Sequence, residues 1–147
     1  MKEHNLDENI NHQLATTANT LKRLAYRMIS EKGLDITPEQ WVILYHLWSE
    51  DGLPLGELSK RSEKDFANVT RIVDKLIANG YVKKQKNEAD GRSYNISLLP
   101  HADTIKDKVI ACWQEGTTIL TRGMDEGEKE TFLRLLKKAK RNLQEPD

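Results

Sequence analysis

Apolar residues recur at three- and four-residue steps through several stretches of this chain, the signature of helices with one buried face. Ile10, Leu14, Ala18, Leu21, Ala25 and Met28 make one such stripe, and Gly33 lies just beyond its end. The spacing predicts a long first helix over about 6–32, roughly 40 Å at the usual rise per residue. Thr37-Pro38-Glu39-Gln40 then combines an N-cap threonine, a proline at the first helical position and a glutamine that completes a capping box. Ile36 and Trp41 stand where a hydrophobic staple would join them. This second helix carries Trp41, Leu44, Tyr45, Leu47 and Trp48 before Asp51-Gly52 closes it.

Residues 55–98 break the pattern into shorter pieces. Leu55-Gly56-Glu57-Leu58-Ser59-Lys60-Arg61-Ser62 supplies one apolar-spaced turn, and 65–79 carries Val69, Ile72, Val73, Leu76 and Ile77 before Gly80 stops it. Two strand-like runs follow at 81–84 and 94–98, separated by Asn87-Glu88-Ala89-Asp90-Gly91-Arg92, which has turn chemistry. Pro100 opens another long helix with Ile105, Val109, Cys112, Trp113, Gly116, Ile119 and Leu120 on one broad face. Asp125-Glu126-Gly127-Glu128 repeats the capping-box pattern ahead of Phe132, Leu133, Leu136, Ala139 and Leu143. The fold class is therefore mainly α with a small β-hairpin wing, a winged helix-turn-helix flanked by helices at both ends. Those flanking helices carry more apolar surface than the short middle segment can cover, which points to pairing with a second copy.

Composition changes this picture in one respect. The 147 residues, 37% hydrophobic, make one ordinary globular domain. A net charge of zero counts against nucleic-acid binding unless the charge is unevenly placed. It is uneven: from Lys60 to Arg92 there are nine basic and five acidic side chains, a local charge of +4 offset by −4 elsewhere. Such a local field attracts phosphate even on a neutral chain. No apolar run approaches the roughly 18 residues needed to span a bilayer, and no apolar core follows the first residues, so no membrane partner and a cytoplasmic location are expected. A lone cysteine, Cys112, allows no internal disulfide.

On the second reader helix, Asn68, Arg71 and Lys75 are spaced to share one face, with Thr70 beside them. Asparagine pairs bidentately with adenine and arginine with guanine, while threonine and lysine suit phosphates. With Asp65 as N-cap, Phe66, Ala67 and Asn68 would enter a groove first. Lys60, Arg61 and Lys64 precede this helix as further cations. On the hairpin, Lys83, Lys84 and Lys86 are placed for phosphates, and Asp90 is placed to orient the Arg92 guanidinium at the tip for a narrow minor groove.

Taken together, the chain resembles the multiple-antibiotic-resistance regulator (MarR) family over nearly its whole length. The most specific part is Asn68-Val69-Thr70-Arg71-Ile72-Val73-Asp74-Lys75-Leu76, then Gly80-Tyr81-Val82 and Asp90-Gly91-Arg92 with Leu98 at the family's spacing. Arg92 matches the family's minor-groove arginine and Asp90 the acid that orients it. One departure is Leu98-Leu99-Pro100-His101-Ala102, where the family usually has Leu-Thr and then a glycine. The resemblance implies a single domain over 1–147, with the reader at about 36–98 and dimerisation helices at about 6–32 and 101–143. It implies a homodimeric repressor of a pseudo-palindromic double-stranded operator, with recognition helices roughly 34 Å apart. It also implies release by a small phenolic or anionic ligand, with Tyr26, Trp41, Tyr45 and His46 as lining residues.

Other functions find less in the residues. A cysteine-based redox-sensing regulator would use Cys112, which falls on the apolar face of its helix. The histidines His4, His12, His46 and His101 form no metal-ligand spacing, so neither metal nor cofactor is expected. There is no glycine-rich phosphate loop or nucleophile elbow to suggest an enzyme. A winged-helix protein-interaction module, its basic face meeting an acidic partner, is the remaining alternative.

Overall fold

The computed structural model describes residues 5–145, which run α1 (Ile10–Glu31), α2 (Pro38–Ser49), β1 (Leu53–Pro54), α3 (Leu55–Ser62), α4 (Phe66–Ala78), β2 (Val82–Lys86), β3 (Tyr94–Leu98), α5 (Pro100–Leu120) and α6 (Glu126–Gln144). The first helix starts four residues later than the expected 6–32, at Ile10, the first residue of its apolar stripe. Asn9 caps it by accepting from the His12 amide at 2.9 Å, and Leu6–Glu8 forms a separate 3-10 turn capped by Asn5. Both capping boxes form as the sequence predicts, Thr37 with Gln40 and Asp125 with Glu128, each satisfying two backbone donors at a helix start.

The chain divides into two units, residues 1–113 and 114–147, with the boundary inside α5. In the first, the core is built from Ile43, Leu44 and Leu47 of α2, Leu55 and Leu58 of α3, Val69, Ile72, Val73 and Leu76 of α4, Ile96 of β3 and Val109 and Cys112 of α5, all almost fully buried. Each such aliphatic side chain contributes about 1.5–3 kcal/mol through burial. Both staple residues, Ile36 and Trp41, are buried. In the α1 stripe, by contrast, Ala25 and Met28 are buried but Ile10, Leu14 and Leu21 lie in the open.

The sheet is antiparallel with order β1-β3-β2, so β3 is the middle strand. Val82 faces Leu98 and Lys86 faces Tyr94, which places the hairpin tip at 87–93. The pairing begins at Val82 and extends two residues beyond the predicted 81–84. The two-residue β1 is absent from the sequence-based expectation: Leu53 pairs with Ile96 and Pro54 with Asn95. At an edge position Pro54 can sit in a strand without costing a ladder hydrogen bond.

The second unit contains the last turns of α5, a turn through Gly123 and Met124, and α6. Asp125 accepts from the Glu128 amide at 2.8 Å, and the Glu128 carboxylate accepts from the Asp125 amide at 3.1 Å. No residue of α6 is buried.

Candidate nucleic-acid interface

The positioning of the reader begins in the backbone. Helix α3 ends at Glu63, whose φ of 57° is left-handed, and its amide caps the α3 carbonyls of Lys60 and Ser59. Asp65 then starts α4 by accepting from the Asn68 amide at 2.7 Å. Val69, Ile72, Val73 and Leu76 anchor one side of α4 in the core, which turns Ala67, Arg71, Asp74 and Lys75 outward. Gly80, with φ of 78°, closes the helix so that Tyr81 can enter the wing.

The polar residues of this helix do not act separately. Arg71 Nη2 donates to Asn68 Oδ1 at 2.6 Å, so the carboxamide holds the guanidinium. Thr70 donates its hydroxyl to the Phe66 carbonyl at 2.9 Å and lies about 100° around the helix from Arg71, on the opposite flank from Asn68 and Lys75. Lys60 and Lys75 are exposed and Lys64 is half-buried in the α3–α4 turn. Arg61 differs from the other cations: Glu50 holds it at 2.7 Å and Glu57 at 3.0 Å, tying the end of α2 to α3. The hydrogen bonds that its guanidinium donates to Glu57 and then to Glu50 also raise its pKa.

At the wing tip, Asn87 accepts from the amides of Ala89 at 2.9 Å and Asp90 at 3.2 Å. Asp90 in turn accepts from the Arg92 amide at 3.0 Å. This corrects the expected pairing: the Asp90 carboxylate grips the backbone of Arg92 and makes no ion pair with its guanidinium. It shapes the turn, and the exposed arginine side chain projects from it. Lys83, Lys84 and Lys86 are exposed along β2. Lys84 Nζ stands 4.5 Å from the centroid of Tyr94, a cation–π contact that sequence reading missed because it needs the strand register.

The unusual wing exit has a direct structural account. Leu99 donates its amide to the Tyr81 carbonyl at 2.9 Å, and Pro100 starts α5 at once. His101 stacks on the Tyr81 ring, centroids 4.5 Å apart and 9° from parallel, while the Tyr81 hydroxyl donates to Asp35. Burial, reinforced by Asp35, holds the Tyr81 phenol above its usual range. The junction therefore fastens the α1–α2 loop, the base of the wing and the start of α5 together.

The four expected ligand-lining residues fall in different settings. A groove of ≈ 300 Å³ between α1 and α2, lined by Ala18, Leu21, Lys22, Glu39 and Trp41 among others, includes Trp41 but not Tyr26, Tyr45 or His46. Tyr26 donates to Glu39 at 3.3 Å, and Lys22 pairs with the same carboxylate at 2.8 Å. Burial pushes the Glu39 carboxyl up, but the Lys22 hydrogen bond, its own backbone amide, the Lys22 charge and Tyr26 together hold it below its usual range. Tyr45 packs edge-on against Trp113 at 4.9 Å and His46 at 5.4 Å. Cys112 is fully buried, a setting unlike that of an oxidant-sensing thiol. Among the described residues no three His, Cys, Asp or Glu side chains gather as a metal site, and no helix is long and apolar enough to cross a membrane. His4 lies outside the described residues.

Residues 36–94 match the MarR family model. Over 136 residues the chain is 28% identical to the uncharacterized HTH-type transcriptional regulator YsmB of Bacillus subtilis, an alignment covering 88% of this chain and 92% of that one. A MarR protein of Peptoclostridium difficile has a similar structure, with a TM-score of 0.85 and 26% identity over 97% of this chain and 92% of that one. A mutant MarR of E. coli complexed with operator DNA shares the fold, with a TM-score of 0.81 and 24% identity over 88% of this chain and 92% of that one. With its helix-turn-helix, wing and flanking helices in the same order, the chain resembles MarR-family transcriptional regulators over most of its length and matches the family model itself through the reader.

Proposed function

We propose that this chain is a cytoplasmic, homodimeric repressor that binds a pseudo-palindromic DNA operator and releases it on binding a small phenolic or anionic ligand. In this reading 1–147 is one MarR-type domain, 36–98 reads DNA, and the helices at 6–32 and 101–143 dimerise. The observation that carries the reading is the pairing of an outward α4 face, where Asn68 holds Arg71, with a wing that leaves Lys83, Lys84, Lys86 and Arg92 in water. Arg71 then reads a base edge, Arg92 enters the minor groove, and Lys60, Lys64, Lys75 and the wing lysines meet phosphates. Arg61, held by two carboxylates, contributes mainly to the α2–α3 junction. That a relative of the same fold from E. coli is complexed with operator DNA supports a DNA-binding role.

Ligand release is supported by the apolar α1–α2 groove, where Lys64 supplies charge for an anion beside Trp41 while Lys22 is paired with Glu39. A ligand that fits this groove better in a spacing of the readers unsuited to DNA would shift the population away from the bound form.

The test is the affinity of the purified chain for DNA upstream of its own gene, at two salt concentrations, with scrambled DNA as competitor. Tight, selective binding that weakens steeply with salt is expected. Lys83→Ala and Lys84→Ala should each reduce the salt slope by about 1 and weaken specific and scrambled DNA alike. Arg92→Ala should weaken operator binding while the melting temperature stays unchanged. Binding no better than to scrambled DNA from a folded dimer would favour the basic face as a protein-docking surface.

A further inference from the structure

The recognition helix presents one side chain that neither its core nor its polar face accounts for. Phe66, the first residue of α4, is 56% exposed, whereas the apolar residues on the buried side of the same helix, Val69, Ile72, Val73 and Leu76, are at most 5% exposed. Its neighbour Ala67 is exposed as well. The tip of α4 is thus an apolar pair set in front of the charged residues Arg71, Asp74 and Lys75.

The local hydrogen bonds hold this pair in place and leave little polar capacity at the tip. Asp65 is engaged with the Asn68 amide, the Asn68 carboxamide with Arg71, and the Thr70 hydroxyl with the Phe66 carbonyl. Phe66 and Arg71 are five residues apart, about 140° around the helix and about 7.5 Å along it, so they face different base pairs. A major groove displays donors, acceptors and a single apolar group, the 5-methyl of thymine.

We propose that Phe66 is a specificity-determining residue whose exposed ring packs on a thymine methyl in each operator half-site. The proposal rests on the DNA-binding reading of α4 and adds a base preference to it. Phe66 serves as the apolar reader and Arg71 as the polar one, on opposite flanks of one helix tip. The contact distinguishes thymine from cytosine, which lacks the methyl, without using a hydrogen bond.

The experiment begins with selection of binding sites from a random-sequence duplex library by the full-length chain. Each thymine of the selected duplex is then replaced, symmetrically in both half-sites, by deoxyuridine, which pairs identically but has no methyl. At one thymine position the wild type should lose about three- to fourfold in affinity per half-site. Phe66→Ala should bind the parent duplex more weakly and be indifferent to the replacement at that position. Phe66→Leu, which keeps an apolar side chain, should retain part of the sensitivity and serves as the readout should the alanine variant melt early. Wild-type indifference at every thymine, or equal sensitivity in all three proteins, would overturn the role of Phe66 while leaving sequence-selective DNA binding intact. Failure of the folded wild type to enrich any sequence would overturn both.

Discussion

At the level of single residues, the same side-chain type does different work according to its neighbours. Arg61 is clamped by Glu50 and Glu57, whereas Arg92 projects from a turn whose carboxylate is spent on its backbone. Arg61 also affects His46, a half-buried residue set edge-on to Tyr45. Burial and, second, the Arg61 charge lower the His46 pKa from the usual 6.5, so the folded chain favours the neutral ring. The resulting contribution to stability is fully present above 6.5 and is lost as pH falls from there toward the lower folded value. Between pH 7.5 and 5.5 the wild type should therefore lose more melting temperature than His46→Gln, and ring-proton titration should give a midpoint below 6.5. A midpoint above 6.5 would contradict the burial of the ring as the dominant influence on it. At this scale the sequence was a good guide to residue types and a poor one to their partners. Asp90 and Arg92 are two residues apart, and only the closed turn decides that the carboxylate reaches the amide.

At the level of elements, legibility followed the range of the forces involved. The caps at Thr37, Asp65 and Asp125 act within one turn, and all three form where the local pattern expects them. Asp65→Ala removes the acceptor for the Asn68 amide and should cost about 1 kcal/mol in chemical denaturation. An unchanged midpoint would mean that α4 is capped from elsewhere. Strand β1 escaped detection because two residues cannot display alternation, and its pairing with β3 spans more than forty residues of chain. The start of α1 was placed too early, near Leu6, one four-residue step before the stripe begins at Ile10; the Asn9 cap starts the helix between them.

At the level of the whole molecule, apolar surface outruns the core. Ile10 is 82% exposed and Leu143 76%, and Leu14, Leu21, Leu133, Leu135 and Leu136 are also exposed. A second copy covering these faces would make stability depend on protein concentration. Leu133→Glu combined with Leu136→Glu should shift the chain from dimer to monomer in sedimentation and lower its operator affinity, while the α2–α4 core stays folded. A dimer that survives both substitutions would put the interface elsewhere. The sequence by itself determined the order of helices, their caps, the hairpin and the concentration of positive charge over 60–92, because each depends on neighbours within a few residues. Tertiary structure alone decided which cations remain unpaired, how Tyr81 locks Asp35 and His101 across the wing junction, and which half of α1 is buried. Those outcomes depend on groups far apart in the chain arriving at one place, and no local pattern encodes the distance between them.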